Sequence, residues 1–387
     1  MEIQRTNEIA LLKKRFKDNP ITVILGPRQC GKTTLSRQFS SKWPHDVTVF
    51  DLENPRDVQR LRDPLLALEG VEGLIIIDEI QRRPDLFPIL RVLSDRSLKA
   101  KYLILGSASR DLIRQSSESL AGRINYLEMS GFSLQHTGVD KMEKLWIRGG
   151  FPRSFLASSE GASYQWRQDF IAAFLERDIP QLGLQIPSKS LGRFWTMLAH
   201  YHGQIFKASE IGRSLGVSDH TAQRYLDLLS GTFMVRQLRP WHYNTKKRII
   251  KRPKIYFRDT GILHALLYLE ERKDVLSHPK LGASWEGFAL EEVIRHLQLK
   301  EDEAFFWGVH TGAELDLVFQ KKGRLCGVEV KYAEAPSLTP SMRSALTELS
   351  LKHLWVVYPG KETYPLSRNV TAIPLGSLDK LMVNNRG

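Results

Sequence analysis

The sequence runs to 387 residues, long enough for two or three domains that each bury a core, and its 42% hydrophobic and 26% charged residues exclude wholesale disorder. No apolar run reaches the ~18 residues of a membrane span, and the charged opening MEIQRTNEIALLKKRF lacks a secretory apolar core. The two cysteines, Cys30 and Cys326, exclude a disulfide framework or a cysteine zinc site and fit a cytoplasmic setting, while the net charge of +13 favours polyanionic partners.

The first ~130 residues alternate strand and helix patterns, which predicts a parallel α/β sheet. An apolar strand, Ile21–Leu25, enters GPRQCGKT and then a helical stretch. This is the G-x-x-x-x-G-K-[ST] phosphate loop in its required strand–loop–helix setting. Glycines there let backbone amides turn toward phosphate oxygens, and the helix N-terminus adds partial positive charge. Gly26, Pro27, Arg28, Gln29, Cys30, Gly31, Lys32, Thr33 and Thr34 form the expected nucleotide cradle. Lys32 is placed to reach the β and γ phosphates, and Thr33 to bring a hydroxyl to Mg²⁺.

A second apolar strand ends in Asp78 and Glu79. Asp78 is expected in the Mg²⁺ shell, and Glu79 is expected to activate or orient the attacking water. A third strand, from Lys101 through Gly106 to Ser107, is expected beside the phosphate-loop strand. Ser107 then either senses the γ-phosphate and positions water, or caps the next helix. Arg123, in SLAGR, is read as an arginine finger for a neighbouring subunit or as a surface ion pair.

Together GPRQCGKTTL, LIIIDEIQRRPDLFPILR, YLILGSAS, SLAGR, RGGFP, FLERDI and KIYFRDTGIL resemble the AAA-type ATPases of bacteria and archaea that carry a C-terminal domain of unknown function numbered 4143. The resemblance covers nearly the whole chain. It implies a P-loop core at 1–140, a helical lid or linker at 141–200, a winged helix at 201–245 and a restriction-endonuclease-like α/β domain at 246–387. It implies ATP with Mg²⁺ and favours Arg123 as the finger. It also implies a homo-oligomer, a hexamer being one form. Cys30 stands where relatives often have an apolar or small residue, and only its backbone is needed there.

In the middle segment a first helix is expected to end near Gly216, with Ser218 as N-cap of a second. Ala222, Leu226 and Leu229 make that helix's inward face, which leaves His220, Gln223 and Arg224 outward, the spacing of a helix-turn-helix. Residues Thr232–Leu238 read as the wing. Asp219 and Asp227 oppose phosphate contact, and winged helices also bind proteins. From Arg236 to Arg258 there are nine Lys/Arg and no Asp/Glu. Its Lys246, Lys247, Arg248, Lys251 and Arg252 are candidate DNA contacts, and Lys246–Pro253 is the candidate inter-domain connection.

Near the end, Glu286 lies in a helical stretch, Asp316 in one strand, and Glu329 with Lys331 in the next, thirteen residues after Asp316. Strand alternation puts Glu329 and Lys331 on one face, with Asp316 beside them across a hairpin. Glu286, Asp316 and Glu329 are candidate ligands of a divalent metal, with Lys331 orienting water, and Glu314 shares the face of Asp316. The arrangement resembles the PD-(D/E)xK nuclease fold, including archaeal junction resolvases. It reads as a cleaving site or as a degenerate fold kept for binding DNA. The whole reads as an ATP-driven motor or switch on branched or forked DNA; an ATP-regulated nuclease and a protein-binding nucleotide switch are the alternatives.

Overall fold

Three short apolar segments of the first 132 residues, around Val23, Ile76 and Leu103, are buried on both faces, the pattern of strands inside a parallel sheet. The computed structural model describes residues 2–96, 99–107, 118, 120–182, 186–241, 250–310 and 312–382. The strands are β1 (Ile21–Gly26), β2 (Val47–Asp51), β3 (Gly73–Asp78), β4 (Ala100–Ser107) and β5 (Ile124–Glu128). All pair in parallel, in the order β2-β3-β4-β1-β5. β4 is therefore beside the phosphate-loop strand, as expected, and separates β1 from β3. Gly26 pairs with Ser107, and Ile77 with Ile104. That register gathers the ends of β1, β3 and β4 on one sheet edge, where open α/β sheets bind ligands.

Helices α1 (Thr6–Asp18), α2 (Lys32–Ser40) and α3 (Leu86–Arg96) accompany this sheet. α1 buries Ile9, Leu12 and Phe16, one face of a 3.6-residue period. α3 buries Leu86, Phe87, Leu90 and Leu93, which join Ile75, Ile77, Tyr102 and Ile104 in the core of this unit.

The chain divides into two compact units, residues 1–132 with 231–233, and residues 133–230 with 234–387. In the second unit, α4 (Met142–Arg148), α5 (Glu160–Ala173) and α6 (Ser188–His200) make the expected helical stretch. FLERD, at Phe174–Asp178, is a π-helical turn continuing α5. Then come β6 (Gln204–Ile205), α7 (Ala208–Leu215), α8 (Asp219–Gly231), β7 (Val235–Pro240), β8 (Lys254–Phe257) and α9 (Thr260–Leu266). α10 (Leu281–Leu297) leads to β9 (Phe305–Gly308), β10 (Glu314–Lys321) and β11 (Arg324–Val330). α11 (Pro340–Glu348), β12 (His353–Tyr358), β13 (Tyr364–Ser367) and β14 (Val370–Pro374) follow.

Among the described residues the strands β6 to β14 form one mixed sheet, in the order β13-β14-β12-β11-β10-β9-β7-β8-β6. β7 is the joint. Its residues Val235–Leu238 pair antiparallel with β8, and Arg239 and Pro240 pair in parallel with β9. The sheet therefore runs across the expected division at 245/246. The strands before and after the candidate connection Lys246–Pro253 are bonded to each other, and its residues 246–249 lie outside the described residues. The wing-like segment 232–238 supplies the start of β7.

Candidate nucleotide site and a buried carboxylate pocket

Between β1 and α2 the backbone turns through left-handed conformations at Gln29 (φ 61°) and Gly31 (φ 101°). Gly26 must lack a side chain, since a Cβ there would collide with the Met129 carbonyl oxygen. Lys32 is buried, and its ammonium donates to the carbonyl oxygens of Gly26 and Pro27, both at 2.9 Å. Arg28 pairs with Glu53 at 3.0 Å. Cys30 is fully buried, and its carbonyl oxygen accepts from the Arg5 guanidinium at 2.8 Å. Arg5, itself buried, also donates to Ser130 O at 3.2 Å, which ties the loop to the chain after β5. Sequence reasoning missed Arg5, because nothing local marks an N-terminal arginine as a brace for this loop.

Thr33 Oγ1 donates to Asp78 Oδ2 at 2.7 Å. Burial pushes the Asp78 carboxyl up from its ordinary range, and the Thr33 hydrogen bond pulls it partly back. Next to it, Glu79 adopts a left-handed backbone (φ 57°). Ser107 Oγ donates to Glu79 Oε2 at 3.2 Å, and the Gln81 amide donates both to Glu79 and, at 2.8 Å, to Ser107 Oγ. Gln81 Oε1 is buried with no hydrogen-bond partner. Ser107 therefore stands with Glu79 at the end of β4, and Gln81 completes the cluster. Gln81 was also missed, although its place just after the acidic strand end was a usable signal.

Amides, an ammonium and a hydroxyl–carboxylate pair converge on one edge. That donor set fits a nucleotide triphosphate, and Thr33 with Asp78 fits an octahedral Mg²⁺ shared with phosphate oxygens. Arg123 is not part of this cluster. It precedes β5, at the sheet edge opposite the loop, and its guanidinium forks onto both oxygens of Asp95 on α3.

In the second unit, strand alternation and α10 bring the candidate acids together, but a lysine stands among them. Lys254, buried on β8, has its ammonium 3.3 Å from Glu314, 3.6 Å from Asp316 and 3.8 Å from Glu286. Tyr256 donates to Glu286, and Asp316 Oδ2 accepts the Val330 amide at 2.8 Å. Lys331 reaches Glu329 at 2.7 Å, while Glu329 Oε2 is buried without a partner. Burial, reinforced by the Asp316 charge, moves Glu286 up to about 7 and Glu329 up to about 8. For Lys254, burial opposes the charge, but Asp316, Glu286 and Glu314 outweigh it and raise its pKa. Among the described residues no group of three or more His, Cys, Asp or Glu side chains is arranged to hold a metal ion. The candidate acids Glu286, Asp316 and Glu329 thus come together, with the Lys254 ammonium beside Glu286 and Asp316 and the Lys331 ammonium beside Glu329.

Residues 18–137 match the family described as an AAA domain, and residues 281–378 match the domain of unknown function DUF4143. An uncharacterized protein of Mycobacterium tuberculosis is 49% identical over 389 residues, covering 99% of this chain and 87% of the relative. The chain belongs to the AAA-type P-loop ATPases that carry a DUF4143 domain. A Haemophilus influenzae protein, also uncharacterized, is 23% identical over 369 residues, covering 87% of this chain and 88% of that one. Between the two matched regions, residues 139–273 match a further domain of unknown function, DUF8612, which spans the expected boundaries at 200 and 245. Among solved structures, a Walker-type ATPase of Pyrococcus abyssi is 15% identical, with a TM-score of 0.47 over 69% of this chain and 96% of that one. A point variant of Thermotoga maritima RuvB is 18% identical, with a TM-score of 0.30 over 61% of this chain and 90% of that one. Neither likeness is close enough to carry an argument.

The helix pair has the expected ends and inward face, and Gln223 departs from the expected outward set. Gly216 (φ 70°) ends α7, and Ser218 Oγ accepts the Thr221 amide at 3.1 Å. Ala222, Leu226 and Leu229 are buried, while His220 and Arg224 are exposed. Gln223 is half-buried and donates to Asp227 at 3.1 Å. Lys251 and Arg252 are exposed, and Lys246, Lys247 and Arg248 lie outside the described residues. The basic stretch is less of a surface than its composition suggests. Arg236 forks onto buried Glu291, Arg258 lies 3.8 Å from the same carboxylate, and Lys254 is the buried cation already described. No helix is long and apolar enough to cross a membrane among the described residues.

Proposed function

We propose that this ATPase hydrolyses ATP with Mg²⁺ as a homo-oligomer and acts on DNA. The observation that carries the ATPase part is the single sheet edge that holds the loop amides, Lys32, the Thr33–Asp78 pair and the Glu79–Gln81–Ser107 cluster. Lys32 would exchange its two carbonyl partners for phosphate oxygens. Thr33 and Asp78 would hold Mg²⁺, which neutralises developing charge on the phosphates when bound. Glu79 would accept the proton of the attacking water, with Ser107 and Gln81 fixing its orientation. The unpartnered Gln81 carbonyl oxygen offers that water a second acceptor.

Arg123 sits at the far edge of its own sheet, so its contribution would come from a second copy, after release of Asp95. For DNA, α6, α7 and α8 with the strand order β7-β8-β6 suit a winged helix. Its second helix offers His220 and Arg224, and the loop before β8 offers Lys251 and Arg252. Branched or forked DNA is the favoured ligand, from the basic segment and the resolvase-like strand pattern together.

The deciding experiment measures ATP turnover by the full chain alone and with fork, four-way junction and plain duplex at fixed salt. Stimulation greatest with fork or junction is expected. Turnover indifferent to all three would remove the DNA part, and absence of turnover under every condition would remove the ATPase part. Arg123→Ala should keep nucleotide binding and slow turnover; an active monomer would exclude the trans finger.

A further inference from the structure

The strand pattern of the last domain implies a divalent metal on Glu286, Asp316 and Glu329, and the residues present do not fit one. Three observations bear on this. Lys254 brings a buried positive charge within 4 Å of three carboxylates, on the side where a metal would have to approach Asp316 Oδ1. Asp316 has its other oxygen engaged by the Val330 amide. Glu329, the remaining acid, is turned to Lys331. A divalent ion placed among these groups would face an ammonium at close range in a low-dielectric interior, where like charges repel strongly. Nor is Lys254 an incidental surface side chain. It lies on β8, between β7 and β6, with its backbone paired to Leu238 and Ile205, so its position is set by the sheet.

We infer that the Lys254 ammonium is the resident cation of this carboxylate pocket and that the pocket takes no divalent metal. Electrostatically, one ammonium does part of what a metal would do, holding acids from α10 and β10 together. It has no open coordination position and cannot lower the pKa of a bound water as a metal does. The resolvase-like face is accordingly a site for holding structure or nucleic acid, and strand scission is not among its activities.

The test is Mn²⁺ binding to the nucleotide-free full-length chain, followed by electron paramagnetic resonance of free Mn²⁺. Leaving out nucleotide keeps the result separate from any question about the phosphate loop, and Asp316→Asn assigns binding to this pocket. Wild type should bind no Mn²⁺ that Asp316→Asn removes. Lys254→Met, similar in volume and uncharged, should gain a site at least tenfold tighter than wild type, which Asp316→Asn then abolishes. Mn²⁺ bound by wild type and lost in Asp316→Asn would overturn the inference. So would a folded Lys254→Met chain that takes up none, because the exclusion would then not be due to Lys254. The wild-type measurement decides even if the variant fails to fold.

Discussion

Two lysines are buried to similar degrees, Lys32 at 6% exposure and Lys254 at 2%, and they have opposite surroundings. Lys32 hydrogen-bonds two neutral backbone carbonyls and, among the described residues, no carboxylate, so its charge remains available to an incoming anion. Lys254 lies among three carboxylates, and its charge is already answered within the chain. On the proposed readings the same side chain is a recognition group in one unit and a structural counter-ion in the other. Burial alone does not distinguish them; the partners do.

The largest expected effect is at the first lysine. Lys32→Ala should lower ATP turnover by on the order of 10³-fold, the scale of losing a main charge stabiliser. Turnover within about tenfold of wild type would mean that Lys32 does not face phosphate. Glu79→Gln should keep nucleotide affinity and reduce turnover by roughly 10²-fold, the low end for a general base. Single-turnover assays with measured affinities check both parts, and normal turnover would move the base elsewhere.

At the second lysine the effect is on folding. Lys254→Met leaves buried carboxylates without their cation and should cost about 3–5 kcal/mol at pH 8. The loss should shrink at pH 5, below the value of about 7 to which burial raises Glu286, where that carboxyl is neutral. Urea unfolding at both pH values checks this, and a pH-independent loss would contradict the pocket electrostatics. The last effect is at Glu329, which burial moves from 4.5 to about 8. A carboxyl with a raised pKa in the fold favours folding below its unfolded value and loses that contribution as pH rises through its folded value. Wild type should therefore weaken relative to Glu329→Gln as pH rises from 4.5 to about 8, seen as diverging urea midpoints; parallel curves would refute it.

The same comparison explains what the sequence made legible. The phosphate-loop pattern is contiguous from Gly26 to Thr33, and Asp78 ends a run of apolar residues, so spacing alone picks out both. The inward face of α8 was equally readable, because a 3.6-residue period is local. Glu286, Asp316 and Glu329 were found as acids, but the cation among them was not. Lys254 lies 32 residues before Glu286, inside a stretch whose composition reads as a solvated cationic surface. Arg236 and Arg258 were hidden in the same way, since Glu291 reaches them only through the tertiary fold. Pairing across long sequence separation also concealed Asp95 beside Arg123 and the double allegiance of β7.

That last feature has a practical consequence for dissecting the protein. A fragment beginning at residue 246 would remove β7 and leave β9 as an open border of unpaired amides and carbonyls, inviting intermolecular strand addition and precipitation. It would also separate Arg236 from Glu291, leaving that buried carboxylate only the longer contacts to Arg258 at 3.8 Å and Arg295 at 4.0 Å among the described residues. Soluble pieces of this region should instead begin upstream of residue 204, so that the seam between the helical module and the terminal strands travels intact.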